Sequence, residues 1–456
     1  MKELPPALLN SLNGVKGFSL PSFREAHERP SVTSVRKHPV KGAGISIGDS
    51  AVPWCTGGYY LDKRPVFTLD PAFHAGAYYV QEASSMFLDH MVRQLFPERS
   101  GLRVLDLCGA PGGKSSLLAG LLDSTSLLIS NEVIRSRASI LEENMIRWGY
   151  TNNWVTSNDP KSFSALPGYF DLIVVDAPCS GSGLFRKDER ALNEWTEANV
   201  LLCSQRQQRI LADVWDSLKE DGVLIYATCS YSPEEDEGIL DWLGATFAPG
   251  SLPVPVASEW GVTEVTGAGL AGYRFFPDKV QGEGFFIAAV RKRETAATIA
   301  RPPKFRTQHD PKTFALAQHL VSNPEELICL PGKENGFFAI RREHEPDLHQ
   351  LKQHLFFRKT GLRLGMPAGK DWLPEHDTAL SLDRSVSVPA VSLDRDQALK
   401  FLKKEEVPIA LREKGWLLTT YEGLGIGWMK SLGNRYNNYL PKHWRIRMEL
   451  PDEDWA

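Results

Sequence analysis

The stretch from Leu102 to Gly120, LRVLDLCGAPGGKSSLLAG, constrains the fold more than any other part of the chain. It reads as a short buried strand, Val104 to Leu107, then a glycine-rich turn containing Gly109, Gly112 and Gly113, then a helix opening at Lys114 or Ser115. Glycine is needed where backbone passes close to a ligand or takes a positive φ, and a helix start offers unpaired N–H groups. Such a turn is a cofactor cradle. A phosphate-binding P-loop would require glycine where Cys108 stands, and the G-x-G-x-x-G dinucleotide fingerprint is absent. What remains is a Rossmann-like site for a ligand with an adenosine and with a carboxylate and amine in place of phosphates, a description that S-adenosylmethionine fits.

From Leu102 onward, strand and helix patterns alternate as in a doubly wound parallel sheet. The expected strands are 103–107, 127–131, 154–157, 171–175 and 223–228, and the expected helices 114–122, 135–148, 196–219 and one near 234–243. Ligands in such sheets sit outside the carboxyl ends of the strands. Glu132 follows the second strand, where an acid can accept both ribose hydroxyls. Asn158 and Asp159 follow the third, within reach of an adenine amino group. The fourth strand ends in Asp176-Ala177-Pro178-Cys179-Ser180-Gly181 and the fifth in Thr228-Cys229-Ser230.

Two cysteines and an acid on one sheet edge form a chemical constellation. The C5 carbon of a cytosine or uracil is a poor nucleophile, but a thiolate adding to C6 turns the ring into an enamine whose C5 can attack a sulfonium methyl. The nucleophilic thiol needs a cation or a helix start to lower its pKa, for which Lys114 is a candidate. Asp176 could bind the base's N3 and amino edge, and a second cysteine could assist expulsion of the first. The residues by themselves leave open which of Cys179 and Cys229 attacks.

The set Asp106 to Lys114, Asp176 to Gly181 and Thr228 to Ser230 resembles the Sun/Fmu-type RNA cytosine-5 methyltransferases. The resemblance runs from about Arg36, through Tyr79 to Ser85, to Arg274, Pro277 and Gly284-Phe285-Phe286, and the long tail resembles the bacterial branch that acts on 16S ribosomal RNA. It implies that Cys229 is the nucleophile and that Cys179 aids product release. It also implies that Lys114 and Asp176 are active-site residues, and that Cys108, Gly109, Ala110, Pro111, Gly112, Gly113, Lys114, Glu132, Asp159 and Asp176 contact S-adenosylmethionine. Two departures stand out. The family's R-x-N reads Arg36-Lys37-His38, and its P-x-E-N-E reads Pro233-Glu234-Glu235-Asp236-Glu237, a change expected to alter only a helix start.

Other chemistries lack their residues. Pro178-Cys179 is not followed by the second cysteine of a zinc deaminase, and His344-Glu345 and His349 do not make H-E-x-x-H, so no metal site is expected. An amino-methylating enzyme, by resemblance to those families, would carry an N/D-P-P-Y/F loop where Cys179 stands.

The fold class expected is α/β: a Rossmann-like S-adenosylmethionine-dependent core at 76–293, a small mixed α/β N-terminal appendage at 1–75, a basic linker and small intermediate domain at 294–375, and a PUA-like RNA-binding region at 376–456. Residues 291–306 hold six basic residues, one acid and two prolines, the composition of a linker. After it, a helical then apolar run at 313–332, a strand at 336–340, a helix over 343–357, a helix at 396–404 and a strand at 415–421 are expected.

A net charge of −4 gives no global polyanion attraction, so RNA contacts must be local. The candidates are Arg36 and Lys41 in the appendage, and Lys430, Arg435, Lys442 and Arg445 in the tail KSLGNRYNNYLPKHWRIR, where Tyr436, Tyr439 and Trp444 could stack on bases. Six cysteines without a C-x-x-C pair suggest a reducing compartment, and no signal peptide or membrane span is evident. A cytoplasmic monomer with RNA as partner is expected. The expected activity is S-adenosylmethionine-dependent cytosine-5 methylation of ribosomal RNA, with the same chemistry on tRNA, or an RNA-binding assembly factor in which catalysis is dispensable, as alternatives.

Overall fold

A computed structural model describes residues 4–295, 309–369, 371–409 and 413–449. Its centre is a ten-stranded sheet. Strands Arg103–Asp106, Leu127–Asn131, Asn153–Thr156, Phe170–Asp176 and Leu218–Thr228 run parallel, and an antiparallel extension, Thr263–Gly267, Leu270–Phe275 and Phe285–Arg291, adds to the last of these. Interleaved helices span Gly113–Leu121, Arg135–Trp148, Glu197–Trp215 and Glu237–Phe247.

Parallel strands covered on both faces are apolar throughout, and alternate residues here feed two separate cores. Leu105, Ile129, Ile173, Val175 and Leu224 pack under the helices Glu197–Trp215 and Glu237–Phe247. Val104, Leu128, Leu172, Val174 and Ile225 pack under the helices Phe87–Leu95 and Gly113–Leu121. The period of two along each strand fixes the register, because a one-residue slip would exchange the two cores.

The sequence places the central elements to within a few residues, with one notable shift. The helix expected over 196–219 stops at Trp215, and the last parallel strand starts at Leu218, not at 223. Leu218 is buried and pairs with Phe170, so tertiary burial claims the segment for the sheet.

The appendage forms a four-stranded sheet, Ser50–Ala51, Gly58–Leu61 and Thr33–Lys37 completed by Tyr78–Val80, which lies beyond the expected boundary at 75 and joins because it pairs with Thr33–Lys37. Its helices Pro6–Ser11 and Leu20–Glu28 pack Leu8, Leu9 and Phe23 against Phe185, Trp195 and Tyr231, which belong to the loops following the fourth and fifth parallel strands. The appendage thus braces those loops.

The helix expected over 343–357 is shorter, Glu345–Leu351, with Pro346 in its first turn. The chain then turns, and Phe357–Lys359 pairs antiparallel with the edge strand Asn153–Thr156. An edge strand with unpaired backbone groups gains more from a partner than a helix gains from one further turn. Leu330, Ile340, Leu348 and Leu355 of this region join the core beneath the main sheet. Most of the proposed linker lies outside the described residues. The final sheet pairs Ala390–Leu393, Gly415–Tyr421, Leu424–Ser431 and Tyr436–Asn438, and helix Arg395–Lys403 starts on an Asp394/Gln397 capping box. No helix among the described residues is long and apolar enough to cross a membrane.

Candidate active site

The glycine turn lies where the first parallel strand ends. Asp106 closes that strand fully buried, and its Oδ2 accepts from Ser115 Oγ at 2.6 Å, tying the strand to the helix across the turn. Burial pushes the Asp106 carboxyl up to about 7. Its other oxygen, Oδ1, is buried without a partner. Gly112 takes a φ of 120°, a value that favours glycine, and the helix begins at the next residue.

Glu132 stands at the end of the second strand with its Oε1 accepting from Ile134 N at 2.9 Å, while Oε2 is buried and makes no hydrogen bond. Arg137 lies 3.3 Å from that oxygen and donates to Ala110 O, so it spans from the acid to the turn. Asn131, which the sequence reading passed over, stitches three strand ends together: Nδ2 donates to Leu107 O and Asn158 O, and Oδ1 accepts from Thr156 Oγ1 and Asn158 N. Asp159 is exposed and caps the following turn, its Oδ1 accepting from Lys161 N. Asn158, the neighbour weighed for the same role, spends its side-chain amide on the backbone of Phe356.

These residues fit an adenosyl amino acid: a turn of small residues at a helix start, and two buried acids each with one oxygen that makes no hydrogen bond. Cys108 sits between them, its thiol held well above the ordinary value by burial.

The second half of the site is assembled from two loops. Cys179 Sγ and Cys229 Sγ lie 3.1 Å apart, and both cysteines are free. The hydrogen bond with Cys229, together with burial, holds the Cys179 thiol well above its usual value. Lys114 Nζ pairs with Asp176 Oδ2 at 2.8 Å and lies 5.0 Å over the Phe285 ring. Burial works against the Lys114 charge, but Asp176, Cys229 and Asp106 more than offset it and raise its pKa.

Glu235 supports both loops. Its Oε1 accepts from Ser180 N at 2.8 Å and Gln207 Nε2 at 3.1 Å, and its Oε2 from Ser180 Oγ at 2.5 Å and Ser230 Oγ at 2.6 Å. Ser180 and Ser230 directly follow the two cysteines. Gly183 completes the join: its N–H donates to Cys229 O, and a Cβ there would lie 2.4 Å from Gly284 O.

The Asp236 departure does more than alter a helix start. Asp236 is buried, accepts from Thr228 Oγ1 at 2.8 Å and faces Arg274 Nη1 at 2.9 Å, while Arg274 also pairs with Glu237 and donates to Tyr231 O. The acidic run is the buried anchor of the Thr228–Tyr231 loop. Its signal was present in the sequence as charges next to the T-C-S motif, but their partner Arg274 is distant in the chain.

The expected RNA contacts divide. Arg36 is buried, with its guanidinium donating to Gln81 Oε1, Ser116 Oγ and Gly113 O and lying 4.8 Å from the Trp148 ring. Lys41 Nζ donates to Ala75 O and Arg147 O. Both cations are spent on internal acceptors, which corrects the expectation that they meet phosphate. Lys430 pairs with Asp371 at 2.6 Å, whereas Arg435, Lys442 and Arg445 are exposed on one terminal segment. Tyr436 and Trp444 pack against the terminal core, and Tyr439 lies 4.5 Å from Trp416, so this cluster serves packing first.

A family model described as 16S rRNA methyltransferase RsmB/F matches residues 93–291; one for the N-terminal domain of 16S rRNA methyltransferase RsmF matches 4–83, and one for the RsmF PUA domain matches 388–446. Proteins named ribosomal RNA small subunit methyltransferase F are similar along nearly their whole length. That of Aeromonas salmonicida is 31% identical over 93% of each chain, and that of Psychromonas ingrahamii 29% identical over 96% of this chain and 97% of its own. Among solved structures, a methyltransferase homologue from Pyrococcus horikoshii aligns with a TM-score of 0.51 at 29% identity, covering 63% of this chain and 100% of its own.

Proposed function

This chain belongs to the RsmB/F family of S-adenosylmethionine-dependent methyltransferases, and from that membership we propose that it methylates C5 of a cytosine in small-subunit ribosomal RNA through a covalent bond from Cys229 to C6 of the base. The observation that carries this reading is the pairing of two free thiols 3.1 Å apart beside the Lys114–Asp176 ion pair.

Each residue has a role that follows from its surroundings. Cys229 attacks as the thiolate, the nucleophilic form of a cysteine. Attack forms the Cys229 Sγ–C6 bond and moves the ring's C5=C6 electron pair toward C5. The Asp176 carboxylate, open to solvent on one side, accepts from the exocyclic amino group of the base and orients it, while Lys114 offsets negative charge developing on the ring. Bound S-adenosylmethionine supplies the methyl group as an electrophile. A water molecule takes the C5 proton, the C5–H electron pair re-forms the C5=C6 double bond, and the C6–S pair leaves with Cys229 as its thiolate. Cys179, beside that sulfur, assists this release.

Cofactor binding divides along the sheet edge. The Glu132 oxygen that makes no hydrogen bond accepts ribose hydroxyls, the second oxygen of Asp159 accepts from the adenine amino group, and Asp106 Oδ1 is the acceptor for an ammonium. The Cys108–Gly113 backbone packs against the amino-acid portion. The target base must leave its stack to reach the thiols, so an unpaired or distorted RNA region is the substrate. Arg435, Lys442 and Arg445 supply phosphate contacts at the terminal domain.

Bisulfite sequencing of total RNA from cells with and without the gene tests the proposal. Loss of one protected cytosine in small-subunit ribosomal RNA is the expected result. Loss confined to tRNA would replace the substrate, and no loss in either would overturn the reading.

A further inference from the structure

A cleft of about 560 Å³ opens between the turn at Pro331–Gly336, the loop at Leu355–Phe357 and the strand Leu362–Ala368. It is separate from the thiols and the glycine turn. At its mouth Phe356 is 56% exposed, unusual for a large apolar ring. The backbone that carries the ring is tied to the main sheet. Phe356 N donates to Asn158 Oδ1 at 2.8 Å, and Phe356 O accepts from Asn158 Nδ2 at 3.1 Å and Ser157 N at 3.2 Å.

Cations frame the aromatic surface. Lys333 Nζ lies 5.0 Å over the Phe356 ring, and Lys352 Nζ 5.5 Å over the Phe338 ring. Arg358 and Arg363, also in the wall, are committed to Glu142. Two lysines therefore remain to meet a ligand, against the carboxylates of Glu334 and Glu375 in the same lining.

We infer that this cleft binds an unpaired nucleotide of the substrate RNA, with a base stacked on Phe356 and the flanking phosphates on Lys333 and Lys352; the inference rests on RNA being the substrate. An exposed ring beside one ammonium group, with a second ammonium in the same cleft, has the chemistry of a single-strand site, since every base offers a π-face and every linkage an anion. Position agrees. Phe356 is hydrogen-bonded to Ser157 and Asn158, just beyond the third parallel strand, on the carboxyl edge of the sheet that carries the catalytic loops. Strand Asn153–Thr156 lies four places from strand Leu218–Thr228 in the sheet order, a separation of roughly 19 Å at the spacing of paired strands. A strand of RNA crossing the edge can present one base to Cys229 and another to Phe356. The cleft thus selects RNA that is unpaired for several nucleotides around the target.

The test uses the full-length protein and a short single-stranded RNA oligonucleotide read by fluorescence anisotropy. Phe356→Leu should weaken binding about tenfold, while Phe356→Trp keeps wild-type affinity, a contrast that a merely structural role for the ring would not produce. Lys333→Gln and Lys352→Gln should each reduce the slope of log affinity against log salt by about 0.7. S-adenosylmethionine affinity should stay unchanged in all four. If the wild-type protein binds the oligonucleotide and Phe356→Leu binds it equally well, the cleft is no RNA site and a peptide partner becomes the better occupant. Failure of the wild-type protein to bind or methylate any RNA would instead overturn the substrate reading on which this inference rests.

Discussion

The sulfurs of Cys179 and Cys229 lie 3.1 Å apart although the residues are 50 positions apart in the chain. Their equivalence is only apparent. Cys229 is among the groups that hold the Lys114 pKa up, whereas Cys179 is held well above the usual thiol value by its bond to Cys229 and by burial.

This asymmetry predicts distinct variants. Cys229→Ala should abolish methyl transfer and leave RNA affinity near wild type. Cys179→Ala should form the adduct but release it slowly, so that a covalent protein–RNA band accumulates on denaturing gels. Exchange of the two phenotypes would reverse the assignment of nucleophile.

Glu235 holds both cysteine loops through Ser180 and Ser230. Glu235→Ala leaves several buried donors without an acceptor and should lower stability by about 3 kcal/mol, measured by urea unfolding. Glu235→Gln fills the same volume but cannot accept on both sides, and should lower kcat at least tenfold with little change in KM for RNA. A wild-type kcat in the glutamine variant would remove Glu235 from the positioning of the thiols.

Glu132 is buried with one oxygen lacking a hydrogen bond. If that oxygen receives the ribose hydroxyls, Glu132→Gln should weaken S-adenosylmethionine binding by about tenfold or more, the scale of a hydrogen bond to a charged group. Calorimetric titration measures it, with RNA affinity as the internal control. Equal cofactor affinity in the variant would place the ribose elsewhere.

His38 is buried against Trp148, donates from Nε2 to Trp148 O and accepts at Nδ1 from Val40 N and Lys41 N. Burial, reinforced by the Lys41 charge, lowers its pKa to about 2. The unfolded chain binds this proton near pH 6.5 and the folded one does not. The stability contributed is therefore fully present above pH 6.5 and is lost as pH falls toward 2, by about 1.4 kcal/mol per pH unit. His38→Asn keeps an acceptor for the two amides without titrating. Its unfolding free energy should show a shallower acid slope by that amount, and an unchanged slope would exclude His38 as a source.

The chain's own order of residues determined the central sheet, because a parallel strand buried on both faces must be apolar throughout and the glycines mark where it turns at a ligand. It also determined the chemistry available at each strand end, since the residue following a strand is delivered to the carboxyl edge whatever surrounds it. Cys179, Cys229 and Asp176 come to that edge for this reason, and Lys114 reaches it from the start of the first helix. Tertiary structure decided what depended on distant partners. Arg36 and Lys41 read as surface cations but are consumed by carbonyls and side chains of elements up to about a hundred residues away. The Glu235–Asp236–Glu237 run reads as a polar helix start, yet it is buried or half-buried because Ser180, Gln207 and Arg274 converge on it. The helix expected through Phe357 gave way to a strand because an exposed sheet edge offered hydrogen bonds that local propensity does not register. Periodicity records which face of an element is apolar; it carries no information about which remote group will satisfy a polar one.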